Sequence, residues 1–251
     1  MTMYQLQHHI HHRFGRLATR YPGLVRWLAE RLTTEHFRGL PLTVLAGLLI
    51  VNVMVLSEIA ENLVNAESMV QVDLGFTHWL FQGRSTLISQ MLYALTWLGS
   101  AYVTIGLALI GSLVLYHQKK GRNIVILWIL MAGVGLFVQV GKRTFIRNRP
   151  TEVAYYTESG YSFPSGHSAT AMTLYGLLSY WLVRGRRRIR NRWLVGISAV
   201  GLILVVGFSR IYLGVHFLSD VLGGYLLGTC WLIVGIVLTE WQRTTHTANV
   251  T

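Results

Sequence analysis

The chain has 251 residues, of which 52% are hydrophobic and only 13% charged. An ordinary soluble domain carries about 25% charged residues, so this composition excludes a typical water-soluble enzyme and points to an all-α polytopic membrane protein. The net charge of +12 invites a nucleic-acid partner, but the basic residues cluster beside apolar runs, where they report membrane topology and attract anionic headgroups; no nucleic acid is expected.

In chain order, residues 1–38 form a basic leader, expected in the cytoplasm, with six arginines from Arg13 to Arg38. It also holds His8, His9, His11 and His12; incidental histidines on a flexible tail are a simpler reading than a metal cluster. The first apolar run begins near residue 39 and lacks a small-residue cleavage site, so it is expected to stay as an anchor. A bilayer span needs roughly 20 mainly apolar residues, and six candidates follow: 40–59, 100–117, 123–141, 166–183, 193–209 and 216–239. Together they make residues 39–240 one membrane domain, with 241–251 as a cytoplasmic tail.

Between the first two spans, residues 60–99 are expected to be an extracytoplasmic interfacial segment. Its first part, 60–84, carries Glu61, Glu67, Asp73 and Trp79 and reads as an amphipathic stretch lying on the bilayer, as a cover or a guide for lipid entry. Residues 86–99 are too short to span and read as an interfacial or re-entrant helix ending at Gly99-Ser100. Near the end of the chain, Gly224 and Gly228 have the small-xxx-small spacing of closely packed helices, expected here within the monomer. The lone cysteine, Cys230, lies in an apolar run and reads as a packing residue.

The charge distribution orients this layout. With the leader in the cytoplasm, six spans put Lys119, Lys120 and Arg122, the run Arg184 to Arg192, and Arg243 on the same side, sixteen basic residues in all. Arg84 stands isolated, while Lys142, Arg143, Arg147, Arg149 and Arg210 fall on the opposite, outer face against the bias. Cations on the disfavoured side need another reason, and binding an anion supplies one. Three short stretches converge on that face: Lys142 to Arg149-Pro150, closing the third span; Pro164-Ser165-Gly166-His167, opening the fourth; and Ser209-Arg210 with His216 and Asp220, between the fifth and sixth.

These residue types suit phosphate chemistry. A phosphoryl group in transfer spreads negative charge over its equatorial oxygens and needs several fixed donors. Lys142 offers a point charge, and Arg149 and Arg210 offer planar forks. Ser165 and Gly166 sit where a helix begins, so free backbone N–H groups and the helix dipole favour an anion there. His216 and Asp220, four apart, share a helical face; the carboxylate can take the proton of one ring nitrogen and leave the other free as a nucleophile. His167 is placed to protonate the leaving oxygen and then to activate water. Singly, each residue has a plainer reading, a packing histidine or a snorkelling cation; their joint order on one predicted face is what argues for a site.

The pattern Lys-x6-Arg-Pro, Pro-Ser-Gly-His and Ser-Arg-x5-His-x3-Asp resembles the type 2 phosphatidic acid phosphatase (PAP2) superfamily over about residues 90–240. The resemblance implies a lipid phosphatase of the bacterial cytoplasmic membrane, multi-pass, with its site on the periplasmic or extracellular side. It implies His216 as nucleophile, Asp220 as its orienting partner and His167 as general acid, with Lys142, Arg149, Ser165, Gly166 and Arg210 binding phosphate. It further implies no metal and no cofactor. Phosphatidic acid, phosphatidylglycerol phosphate and undecaprenyl diphosphate remain open as substrates, as do a lipid acceptor in place of water and a membrane anion-binding or transport protein without turnover. A haloperoxidase on the related soluble fold fits six spans poorly. The oligomeric state is left open.

Overall fold

Every regular element among the described residues of the computed structural model is helical. The structure describes residues 2, 4–6, 12, 19–34, 37–65, 68–185 and 188–248, without the side chains of 151 and 244–248. His8, His9 and His11 of the histidine cluster, Glu67, and Arg186 and Arg187 lie outside the described residues. In order, the helices are α1 (Pro22–Leu32), α2 (Leu40–Val64), α3 (Ser68–Gln82), α4 (Thr86–Thr96), α5 (Ala101–His117), α6 (Gly121–Phe145), α7 (Gly166–Gly185), α8 (Ile189–Tyr212) and α9 (Leu218–Ala248). Two compact units divide the chain, residues 1–51 with 237–251, and residues 52–236. In the first, Pro22 opens α1, where its missing N–H costs nothing, and Arg38 stacks over the Trp241 ring at 4.6 Å. The second holds all three motif stretches.

Among the described residues, four helices are long and apolar enough to cross a membrane: Leu40–Val64, Gly121–Phe145, Ile189–Tyr212 and Leu218–Arg243. A fifth span results if Thr86–Gly99 and Ala101–His117, bent by 48°, are taken as one. The bend falls at Ser100, whose side chain caps α5 by accepting from the N–H of Val103 at 3.3 Å. Residues 86–99 are thus a helix with a short terminal turn, and they end where the sequence marks a break.

Helix α7 occupies the position of the expected fourth span but is not apolar enough to count by composition. Its surroundings explain this. It packs against α5, α6 and α8, and Ser168 and Thr173 lie buried beside Ala169, Ala171, Leu174 and Leu177. A helix enclosed by protein can carry hydroxyls that a lipid-facing one cannot, because neighbours and its own carbonyls satisfy them. Thr173 Oγ1 donates to the carbonyl of Ala169 at 2.9 Å and to that of Gly228 at 3.3 Å.

The Gly224 and Gly228 pair packs within the chain: a Cβ at either would lie 2.6 Å from a carbonyl oxygen of α7 or its lead-in, Ala169 or Ser165. On another side of α9, Asn52 of α2 donates to the carbonyl of Leu226 at 2.7 Å and contacts Cys230 Sγ at 2.9 Å. Cys230 is therefore a half-buried packing residue. The stretch 60–84 divides between two helices. Helix α2 continues to Val64 and α3 follows, with Asp73 and Thr77 buried.

Candidate active site

Helix α6 stops at Ile146, which adopts a left-handed backbone (φ 46°) and donates its N–H to the carbonyl of Lys142 at 3.2 Å. Beyond it the chain is irregular through Pro150, so Arg147 and Arg149 leave the helix from a short connection. Lys142 remains in the last turn of α6. The connection folds back: the Ser162 N–H donates to the carbonyl of Arg147 at 2.8 Å, and Ser165 N–H donates to that of Asp220 at 2.9 Å. Those bonds tie the first stretch to the second and the second to the third.

His216 sits between α8 and α9 and is fully buried. Its Nε2 is 2.9 Å from a terminal nitrogen of Arg149. A guanidinium only donates, so Nε2 is the unprotonated nitrogen and Nδ1 carries the hydrogen. That Nδ1 faces Asp220 Oδ2 at 3.4 Å. Burial first, and then the charges of Arg210, Arg149, Lys142 and His167, hold this imidazole well below the usual histidine range. The result is a neutral ring with its lone pair turned into a cationic cluster.

Asp220 is itself held on both oxygens. Oδ2 accepts from the Phe217 N–H at 2.8 Å, and Oδ1 accepts from Arg147 at 2.6 Å and from Ser162 Oγ at 3.4 Å. Arg147 reaches past Asp220 to Asp73 Oδ2, also at 2.6 Å, and covers the Phe217 ring at 4.3 Å. Asp73, fully buried on α3, additionally accepts from the N–H and hydroxyl of Ser219. The chain Asp73–Arg147–Asp220–His216 thus joins four groups, of which sequence patterning singled out only the last two. Arg147 was visible as one of the outer-face cations; Asp73 lay 74 residues away from it with no spacing signal.

The cations gather as expected. Lys142, Arg149 and Arg210 all lie near enough for their charges to act on His216. Arg149 also donates to the carbonyls of Val215 at 2.8 Å, Gly160 at 2.9 Å and Tyr161 at 3.2 Å. Arg210, fully buried, donates to Thr96 Oγ1 at 3.0 Å and to the Tyr156 hydroxyl, and pairs with Glu158. Its Nε has no partner among the described residues. Glu158 also reaches Arg149 at 3.3 Å. Thr96, Tyr156 and Glu158 therefore join the site, the last two from the connection between α6 and α7. A cleft of about 460 Å³, lined by Asn148, Arg149, Glu158, Gly160 and Tyr161, opens beside them.

Gly166 opens α7, and the buried Ser165 precedes it. The Ser165 hydroxyl is 3.1 Å from that of Ser168 and accepts from its N–H at 3.5 Å. His167 follows on the first turn, against Gly99: a Cβ there would come within 3.2 Å of the His167 ring. Arg84, isolated in the sequence, fastens two parts of the frame by donating to the carbonyls of Val153 at 2.7 Å and Tyr212 at 2.8 Å. Gly214 (φ 65°) makes this possible, since a side chain there would strike the Val153 carbonyl.

All eight residues singled out from the sequence thus belong to one unit and one cluster, with a neutral, carboxylate-backed imidazole among three cations. Such an arrangement can bind a phosphoryl group and attack it. The PAP2 superfamily model matches residues 123–244 of this chain. Phosphatidylglycerophosphatase B of Bacillus subtilis is 34% identical over 148 residues, 58% of this chain and 72% of that protein. Undecaprenyl-diphosphatase of Sulfolobus acidocaldarius is 28% identical over 171 residues, 64% of this chain and 76% of that one. Among solved structures, a transmembrane PAP2-type phosphatidylglycerolphosphate phosphatase from Bacillus subtilis aligns with a TM-score of 0.70 at 27% identity, covering 78% of this chain and 96% of its own. On sequence, helical framework and motif order alike, the chain belongs to the PAP2 superfamily.

Proposed function

We propose that this protein is a membrane-embedded, metal-independent phosphatase that hydrolyses a lipid phosphate or diphosphate through a phosphohistidine. The observation that carries this reading is His216: fully buried, with Nδ1 toward Asp220 and Nε2 beside Arg149. In the first step, Nε2 attacks phosphorus, the P–O bond to the lipid breaks, and His167 gives its proton to the departing oxygen. Asp220 stabilises the positive charge that develops on His216. In the second step, His167 takes a proton from water, whose oxygen attacks phosphorus, and the N–P bond breaks to release phosphate. Lys142, Arg149 and Arg210, with the α7 N-terminus at Ser165 and Gly166, hold the phosphoryl oxygens throughout. The unpartnered Nε of Arg210 supports an anionic guest.

Six spans, with α5 and α7 added to the four apolar helices, would set this cluster on the outer face of a bacterial cytoplasmic membrane. The cation distribution supports that orientation. The phosphate's lipid is to be identified by phosphate release from polyprenyl diphosphate, phosphatidylglycerol phosphate and phosphatidic acid side by side. The mechanism is tested by His216→Ala, which should abolish both turnover and the acid-labile phosphoenzyme trapped from a labelled substrate. Near-normal activity in that variant would refute the nucleophile.

A further inference from the structure

Glu158 lies against two of the cations proposed to hold the substrate phosphate. One of its carboxylate oxygens lies 3.3 Å from Arg149, and the other pairs with Arg210 and takes the Tyr156 hydroxyl at 3.3 Å. The two arginines are almost wholly buried, whereas the Glu158 side chain keeps 22% of its surface exposed. A carboxylate and a phosphoryl group present similar pairs of oxygens to guanidinium forks. Two buried guanidinium groups with no counter-ion would be costly, so an empty pocket needs an anion of its own.

Resting on the reading that Arg149 and Arg210 bind the substrate phosphate, we propose that Glu158 is an exchangeable counter-ion, which leaves the two arginines when phosphate binds and returns to expel it. The exchange needs no unfolding of the connection. Its backbone is pinned on both sides of Glu158, by Tyr155 N–H to the Leu213 carbonyl at 2.8 Å and by Arg149 to the carbonyls of Gly160 and Tyr161. Rotation of the side chain toward the adjoining cleft, which it lines, is sufficient. A tethered competitor lowers the affinity of every anion that needs the open state by the same factor. Its benefit falls on the last step: orthophosphate, the product, is kept from resting on the arginines.

The experiment measures the dissociation constant of orthophosphate by calorimetry on the purified protein in detergent, and KM and kcat for phosphatidic acid. If the paired state holds about nine tenths of the free protein, Glu158→Gln binds orthophosphate about tenfold more tightly. KM should fall by the same factor, and kcat should fall as release slows. A structural defect does not tighten binding, so the gain in affinity separates exchange from damage. Unchanged or weakened orthophosphate binding in Glu158→Gln overturns the proposal. If that variant does not fold, Glu158→Asp, too short to span both arginines, should shift both constants in the same direction. Arg210→Ala distinguishes the two levels: it should weaken orthophosphate binding. Weakening there without a gain in Glu158→Gln rejects the exchange alone; no weakening rejects the phosphate assignment, and the exchange with it.

Discussion

His216 shows how little of a catalytic residue lies in its own identity. A histidine in water titrates at about 6.5 and is partly charged at neutral pH. Burial and four neighbouring groups keep this one neutral, which is the form a nucleophile requires. Because its folded value is depressed, acidification through the ordinary range should not protonate it. We expect kcat/KM, which reports the free enzyme, not to fall as pH drops through about 6.5. A loss of about fivefold between pH 6.5 and 5.5 that does not follow the substrate's own ionisation would show His216 titrating as an ordinary histidine. Asp73 makes the second prediction at this scale. Asp73→Asn removes one partner of a buried charge network, which costs about 3–5 kcal/mol of stability. If Asp73 also positions Asp220 through Arg147, kcat should fall about 10²-fold with KM little changed. A variant with lowered melting temperature but unaltered kcat would reduce Asp73 to a structural role.

At the scale of the helix, the framework was largely readable in the sequence and the enclosure of α7 was not. Apolar runs located α2, α6, α8 and α9, because a lipid-facing helix must be apolar along its length. Hydropathy cannot say whether a less apolar helix is wrapped by others; the buried Ser168 and Thr173 show that α7 is. Gly224 and Gly228 are what let α9 approach it. Gly228→Val would push a branched side chain into the Ala169 carbonyl and should destabilise the fold by about 1–3 kcal/mol, read as a lower thermal unfolding midpoint in detergent. An unchanged midpoint would mean that the helices part without cost. Helix α3 belongs here too. Its sequence reads as an amphipathic cover, yet it delivers Asp73 to Arg147.

For the whole molecule, the charge distribution predicts an orientation that labelling can test. With Cys230 replaced, cysteines introduced at positions 155 and 188 should differ in intact cells: an impermeant reagent should label 155 and reach 188 only after permeabilisation. Preferential labelling of 188 would invert the topology. By itself, the sequence determined the all-helical membrane character, the three motif stretches and their convergence, because hydropathy period and charge bias are local properties that survive without coordinates. Tertiary structure alone decided which nitrogen of His216 is free, that Asp73 and Arg147 stand behind Asp220, and that Glu158 spans Arg149 and Arg210. Apart from the nearby Arg149–Glu158 pair, those facts depend on groups more than 50 residues apart meeting within hydrogen-bond distance, as Ser219 meets Asp73 across 146 residues. Nothing in local spacing encodes such a meeting; the packing of the helices does.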